Sequence, residues 1–173
     1  GAPFKVSQIT PIANHLTETG VVVVKADSPW KDIKSLVAAM KEKGNLRAST
    51  NGVKASNHTA AQLFAKSAGA KYKAIPYVAD VAKLVTGAKP ELRVLAVFDK
   101  KRLAEFPDVP TLGEVGLYPE WYGSARAVVA PAGTPKEVMD FYAEAFAKTM
   151  KDPEVIEAHK KAGLNLDYKD AKE

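Results

Sequence analysis

The stretch that decides the fold is Gly20–Gly52, GVVVVKADSPWKDIKSLVAAMKEKGNLRASTNG. Val21 to Val24 form a run of four β-branched residues behind a glycine. The run predicts a buried strand over 20–26, of the kind found in parallel sheets covered on both faces. Ser28 and Pro29 then offer a helix start, serine as N-cap and proline at the first helical position. Ile33, Leu36, Val37 and Met40 recur at helical spacing, and Gly44 is the stop. Leu46 to Thr50 reads as a second strand that runs into the turn pair Asn51-Gly52.

The alternation continues outward. A helix is expected from about Ser56 to Ser67, with Ala60, Leu63, Phe64 and Ala68 on one face and Gly69 at its end. Tyr72–Tyr77 is a third strand, about Val78–Thr86 a short helical piece, and Leu92–Phe98 a further strand. Strand and helix in turn are the signature of an α/β layer fold. After residue 98 the texture changes: Lys100–Gly116 is charged and punctuated by Pro107 and Pro110, and Trp121–Ala130 is strand-like. Thr134-Pro135-Lys136-Glu137 has the pattern of a capping box and opens a long helix, with Val138, Phe141, Tyr142, Ala145 and Met150 expected to face inward. Asp152-Pro153 starts a last short helix that Gly163 closes.

Composition narrows the function classes. The 173 residues are 46% apolar and 26% charged, enough for one compact core or two small lobes. The net charge of +5 is spread along the chain, and its basic clusters (Lys41–Lys43, Lys100–Arg102, Lys160-Lys161) are short and not interleaved with aromatics. That distribution describes a solvated surface and speaks against nucleic-acid binding. There is no cysteine, which excludes disulfides, thiolate metal sites and cysteine catalysis in these residues. No apolar run approaches a membrane span, and no signal peptide is visible at Gly1, as in a mature chain.

The candidate site is Ser49-Thr50-Asn51-Gly52-Val53-Lys54-Ala55-Ser56-Asn57-His58, between the end of one strand and the start of one helix. Ligands of open α/β sheets bind at the carboxyl ends of strands, and a helix N-terminus there offers unpaired N–H groups and partial positive charge. Such a place suits a carboxylate or a phosphate. The same residues serve equally well as an ordinary polar turn with Ser56 as N-cap. Ser56 and His58 do not form a nucleophile and base, because residues two apart on a helix do not face each other, and no Gly-x-Ser-x-Gly elbow surrounds the serine. His15 and His159 have no metal-ligand spacing relative to His58. Walker and G-x-G-x-x-G sequences are absent, and no pair of carboxylates stands out as an acid/base couple.

Several segments resemble one family, the substrate-binding proteins of tripartite tricarboxylate transporters, also called Bug proteins. Ser49–Phe64 (STNGVKASNHTAAQLF) is similar to that family's Ser-rich turn, histidine and helix. Leu92–Phe98 with Lys101-Arg102 resembles its "LRxLAV…R" element, Pro107–Gly116 (PDVPTLGEVG) its "PDVPTxxExG" element, and Trp121 with Ala130–Pro135 (APAGTP) its "W.G…APAGTP" segment. Asp152-Pro153 fits as well, and the matches run in order from about residue 20 to 163. The resemblance implies a type II periplasmic binding fold, two α/β lobes closing at a hinge on a small mono-, di- or tricarboxylate. It implies a second lobe at 20–98 carrying the ligand-binding turn, with 1–19 and 99–173 as crossover segments and the C-terminal part of a first lobe that is largely missing. It assigns ligand contacts to Ser49, Thr50, Asn51, Gly52, Ser56 and His58, and places Asp80 near the cleft. The implied partner is a membrane permease, the location periplasmic, the state monomeric, with no cofactor, metal or catalysis.

The chain departs from the family pattern twice. Nothing matches the strand and Gly-rich loop that open the family's first lobe, and Tyr77 runs directly into Val78-Ala79-Asp80 where family members carry a Gly-rich helix and a further strand. Two other readings remain beside the binding protein. One is an α/β enzyme acting on a small anionic substrate, and the other an interaction module in which the turn at 49–58 is only a turn.

Overall fold

The valine run becomes strand β2 (Val21–Lys25), and its partner is β5 (Leu92–Val97), which lies antiparallel to it. The parallel pairing expected from the sequence is therefore corrected at this place. β-Branched residues report a pleated, packed surface and carry no information about strand direction. Only Val24 of the four is buried, and the register shifts between Val22 and Val23. The computed structural model describes residues 3–52, 55–76, 84–85, 89–164 and 166–172. The short helix expected over 78–86 falls almost wholly outside the described residues.

The chain divides into two compact units, Thr19–Gly123 and a second made of Gly1–Glu18 with Ser124–Glu173. In the first unit, helix α1 (Ile33–Lys43) follows β2. Its N-cap is Asp32, whose carboxylate accepts from the Ser35 amide at 2.7 Å, and not Ser28 as the Ser-Pro pair suggested. Ser28 lies four residues earlier, and its hydroxyl is turned to the Trp30 carbonyl. The helix stops at Gly44 in the left-handed conformation (φ 66°), where the Gly44 amide donates to the Met40 carbonyl at 3.0 Å.

Strand β3 (Arg47–Thr50), helix α2 (Ser56–Ser67) and strand β4 (Lys73–Pro76) follow, and β3 and β4 pair in parallel from Arg47↔Lys73 to Thr50↔Pro76. Parallel neighbours need a crossover, and α2 is that crossover. α1 contributes Ile33, Leu36 and Met40 to the core, and α2 contributes Ala60, Phe64 and Ala65. Leu95, Ala96 and Phe98 close the core from β5 and the residue beyond it.

This unit extends past residue 98, the boundary read from the sequence, because the next segment folds back onto β5. The Val97 amide donates to the Pro110 carbonyl at 3.1 Å, and the Leu112 amide donates to the Val97 carbonyl at 3.0 Å. Leu112 is fully buried in the same core. The fold-back is held by the motif Thr111-Leu112-Gly113-Glu114 together with Arg102. The Thr111 amide donates to Glu114 Oε2 at 2.7 Å, and the Glu114 amide donates to Thr111 Oγ1 at 3.1 Å. Arg102 Nε donates to both Glu114 oxygens at 3.1 and 3.0 Å, and its Nη1 donates to the Pro107 carbonyl at 3.1 Å. Hydrogen bonds from Arg102 and from the Thr111 amide hold the Glu114 carboxyl below its ordinary range.

Gly20 sits where the unit's ends meet. Its amide donates to the Tyr122 carbonyl at 2.9 Å, and its own carbonyl accepts from the Phe98 amide at 2.8 Å. A Cβ at this glycine would stand 3.0 Å from the Tyr122 oxygen and 3.3 Å from the Phe98 ring, so the close approach of three backbones requires glycine.

The second unit is built on a three-stranded sheet in the order β6 (Gly123–Pro131), β1 (Ile9–Thr19), β7 (Leu166–Asp170). β1 is the middle strand and buries Ile12, Ala13 and Leu16. Its pairing with β7 is antiparallel and is reinforced by Asn14 Nδ2 donating to the Asp167 carbonyl at 2.8 Å and by the Thr17 hydroxyl on the Asp167 carboxylate. Helices α3 (Lys136–Thr149) and α4 (Pro153–Lys161) follow β6. α4 starts as expected, Asp152 accepting from the Glu154 and Val155 amides with Pro153 at the first position. The capping box expected at 134–137 does not form: the N-cap is Pro135, and the Thr134 hydroxyl donates to the Pro131 carbonyl at 2.7 Å instead. The inward face expected for α3 is also corrected. Met150 is buried, but Val138, Phe141 and Tyr142 are 37%, 67% and 54% exposed.

Candidate functional site

The turn between β3 and α2 positions every described residue of the candidate site. β3 is short, and its last residue, Thr50, is 1% exposed. The chain then leaves the sheet through Asn51 and Gly52. Gly52 has φ 123°, a conformation that side-chain-bearing residues rarely adopt, and a Cβ there would meet open space. Glycine is needed for the backbone torsion and not for room. The Ala55 amide donates to the Gly52 carbonyl at 3.3 Å, and Thr59 makes the first helical bond of α2, its amide to the Ala55 carbonyl at 3.0 Å.

The N-cap of α2 is Ala55, and no side chain caps it. Ser56, which the sequence suggested as the cap, is already the first helical residue and lies exposed. A helix start leaves its first amides without an intrahelical partner. Here those are the amides of Ser56, Asn57 and His58, at the carboxyl end of a parallel strand. The positive end of the α2 dipole points the same way.

Among the described residues of the turn, the Thr50, Asn51, Ser56 and Asn57 side chains carry no formal charge. Thr50 Oγ1 is buried and has no hydrogen-bond partner among the described residues. An unpaired buried hydroxyl costs on the order of 1–3 kcal/mol, so its presence at a strand end calls for an explanation. Asn57, which the candidate segment included without a role, turns its side chain back so that Oδ1 accepts from the Asn51 amide at 3.0 Å. The signal was available, since asparagine side chains readily bond nearby backbone amides in turns. This bond ties the turn to the first turn of the helix.

His58 is not aimed at Ser56. Gln62 Nε2 lies 3.1 Å from His58 Nε2, one helical turn on. The ring's other nitrogen is Nδ1. That Nδ1 is buried and without a partner among the described residues. The Tyr72 hydroxyl approaches the His58 carbonyl at 3.5 Å, and burial pushes the Tyr72 pKa up. Ser49 lies on the exposed side of β3. Asp80 lies outside the described residues. The structure thus gathers Thr50, Asn51, Gly52, Ser56 and His58 at one strand-to-helix turn and adds Asn57.

The other two histidines meet in the second unit, with ring centroids 5.8 Å apart and nearly perpendicular. Burial, the neighbouring His159 and Arg126 lower the His15 pKa. Among the described residues, no three His, Asp or Glu side chains are grouped as a metal ion would require, and no helix is long and apolar enough to cross a membrane.

The sequence profile of the tripartite tricarboxylate transporter family receptors matches residues 2–88 and 81–173. The chain belongs to this receptor family. Among its relatives is the UPF0065 protein in the tcbD-tcbE intergenic region of Pseudomonas sp. (strain P51), 30% identical over 179 residues that cover 89% of this chain and 52% of the relative. Protein BugT of Bordetella pertussis is 28% identical over 178 residues, covering 90% of this chain and 54% of its own length. The chain spans about half the length of the curated relatives it matches. Among solved structures, a TctC solute binding protein from Polaromonas superposes with a TM-score of 0.82 at 25% identity, over 99% of this chain and 65% of its own. R. palustris Rpa4515 with adipate shares the fold at a TM-score of 0.73 and 19% identity, over 95% of this chain and 62% of its own. The fold of the receptor family is thus present here as an α/β portion of a longer architecture. The resemblance read from the four sequence segments is borne out.

Proposed function

We propose that these residues form the ligand-receiving part of a periplasmic solute-binding protein, which captures a small mono-, di- or tricarboxylate and presents it to a membrane permease without chemical change. One observation carries this reading: the uncapped start of α2 at the carboxyl end of β3, beside a buried Thr50 hydroxyl with no partner among the described residues. A carboxylate would take hydrogen bonds from the amides of Ser56, Asn57 and His58, with the Thr50 hydroxyl donating directly or through a water. Charge-assisted bonds of this kind are the strong ones, and this cradle supplies them from backbone amides and hydroxyls that are themselves uncharged. Gly52 and the Asn57–Asn51 bond hold the cradle open. Ser49 and Asp80 belong to the same proposed set of contacts. Family membership supports the reading, as do the fold neighbours solved with adipate and with malate.

The test is a titration of the 173-residue chain with acetate, malate, adipate and citrate, followed by calorimetry and by the melting temperature. Ligand at about 100 times its Kd raises stability by about 2.7 kcal/mol. The expected result is saturable binding of at least one carboxylate, unchanged carboxylate on recovery, and at least tenfold weaker binding in Thr50→Ala with Ser56→Ala. Equal binding by the double variant would remove the site from this turn, and consumption of the carboxylate would favour the enzyme reading.

A further inference from the structure

His15 and His159 meet where the sheet of the second unit is irregular. The register of β1 with β7 passes from Asn14↔Lys169 to Leu16↔Leu166, so β1 carries one residue, His15, where β7 carries Asp167 and Tyr168. Irregularities of this kind re-aim a side chain. The His15 ring stands edge to face with His159 of α4, centroids 5.8 Å apart, and 6.2 Å from the Phe146 ring of α3. Its Nδ1 is buried and has no partner among the described residues. His159 is held differently. Its Nδ1 donates to the Val155 carbonyl at 2.8 Å, so a further proton can enter that ring only at Nε2.

The carboxylates of the surrounding elements are engaged elsewhere. Glu18 of β1 is taken by Arg126 of β6 at 2.9 Å. Asp167 of β7 is taken by the Thr17 hydroxyl and by Lys169 at 2.9 Å. α3 presents the uncharged Phe146 ring, and its Lys136–Asp140 and Lys148–Glu144 pairs close within the helix. α4 brings His159, with Lys160 and Lys161 in the same last turn and Glu157 paired to Lys161 at 3.7 Å. An imidazolium at His15 would therefore be partly buried, beside Arg126, with no free carboxylate to receive it among these groups. Burial is the first cause that holds the His15 pKa below 6.5, followed by His159 and then Arg126. Lifting α4 off β1 removes His159 and part of the burial, while Arg126 stays on its strand. We infer that the His15–His159 contact is an acid-operated latch: with His15 neutral it holds α4 on β1, and in mildly acidic solution proton uptake by His15 opens α4 locally while the Thr19–Gly123 unit stays folded. The open form takes up its proton as pH falls through 6.5 and the closed form only at lower pH, so the latch is shut above 6.5 and weakens below it.

Amide hydrogen exchange in the 173-residue chain reads the latch directly. Protection factors, corrected for the intrinsic pH dependence of exchange, would be compared at pH 7 and pH 5 for α4 and for α1, a helix of the other unit. Each pKa unit by which packing depresses His15 is worth about a tenfold loss of protection once pH lies below both values. The expected result is a loss of about tenfold in α4, none in α1, and none in either helix of His15→Gln. His159→Gln should raise the midpoint of the His15 ring resonances in a proton NMR titration, a shift that a merely space-filling contact would not produce. Unchanged protection of α4 between the two pH values would overturn the inference. So would a loss that α1 shares, which marks global unfolding, or one that persists in His15→Gln, which assigns it to other groups. The α4-against-α1 comparison needs no variant, so a substitution that fails to fold leaves the test standing. No carboxylate is added, and the outcome is independent of the ligand titration.

Discussion

Thr50→Val separates the cost of the candidate site from its use. Thr50 is 1% exposed, lies at the end of β3 opposite Pro76 in the parallel register, and its hydroxyl has no partner among the described residues. Valine keeps the β-branched shape and replaces the hydroxyl with a methyl group. Relieving one unsatisfied buried polar atom should return about 1 kcal/mol, the low end of the usual penalty. For a unit of this size, about 1 kcal/mol is a rise of roughly 4–8 °C in melting temperature. The same substitution removes a donor to a charged carboxylate, an interaction of roughly 1.5–3 kcal/mol, so affinity should fall by about ten- to a hundredfold. The two readouts therefore move in opposite directions: the free protein gains stability and the carboxylate-induced shift shrinks. Melting curves of both proteins at zero and saturating carboxylate give all four values. A Thr50→Val protein that melts below the parent would show that the hydroxyl already has a partner. A gain in stability with unchanged affinity would show that the hydroxyl is only a flaw in the turn.

Leu112→Ala should destabilise the Thr19–Gly123 unit by about 3 kcal/mol, because the side chain is fully buried in its core. Chemical unfolding followed by Trp30 and Trp121 fluorescence measures this, and a loss under about 1 kcal/mol would place 99–123 outside the core. Gly52→Ala should cost about 1–2 kcal/mol from its φ of 123° alone, with weakened carboxylate binding; an unchanged denaturation midpoint would refute the torsional argument. His15 has a pKa lowered from 6.5 in the folded state, so the unfolded chain takes up its proton first. Its neutral form contributes stability above pH 6.5 that is lost as pH falls through 6.5 toward the folded value. His15→Gln should flatten stability against pH in that window, which urea unfolding at pH 5, 6 and 7 would reveal.

The alternation of β2, α1, β3 and α2 was legible because its signals are local. A valine run, a 3.6-residue apolar period and a glycine at each helix end need no knowledge of the rest of the chain, and Gly44 and Gly163 stop their helices where expected. Direction and partner were not legible. β2 pairs antiparallel with β5, some seventy residues later, and nothing in Val21–Val24 encodes that choice. Caps failed where a competing bond won: Thr134 bonds Pro131, and Asp32 displaces Ser28 by standing next to the first periodic residue. At the site, the Ser49–His58 segment could be located by its position between strand and helix. The roles inside it could not, because burial of the Thr50 hydroxyl and the return of Asn57 onto Asn51 depend on the path of the turn in space.

The Arg102–Glu114–Thr111 clasp changes what the motif PDVPTLGEVG signifies. Its polar groups are engaged with one another and with backbone, on a loop that seals one end of a core. This segment is therefore a mark of assembly: what it fixes is the return of the chain onto β5.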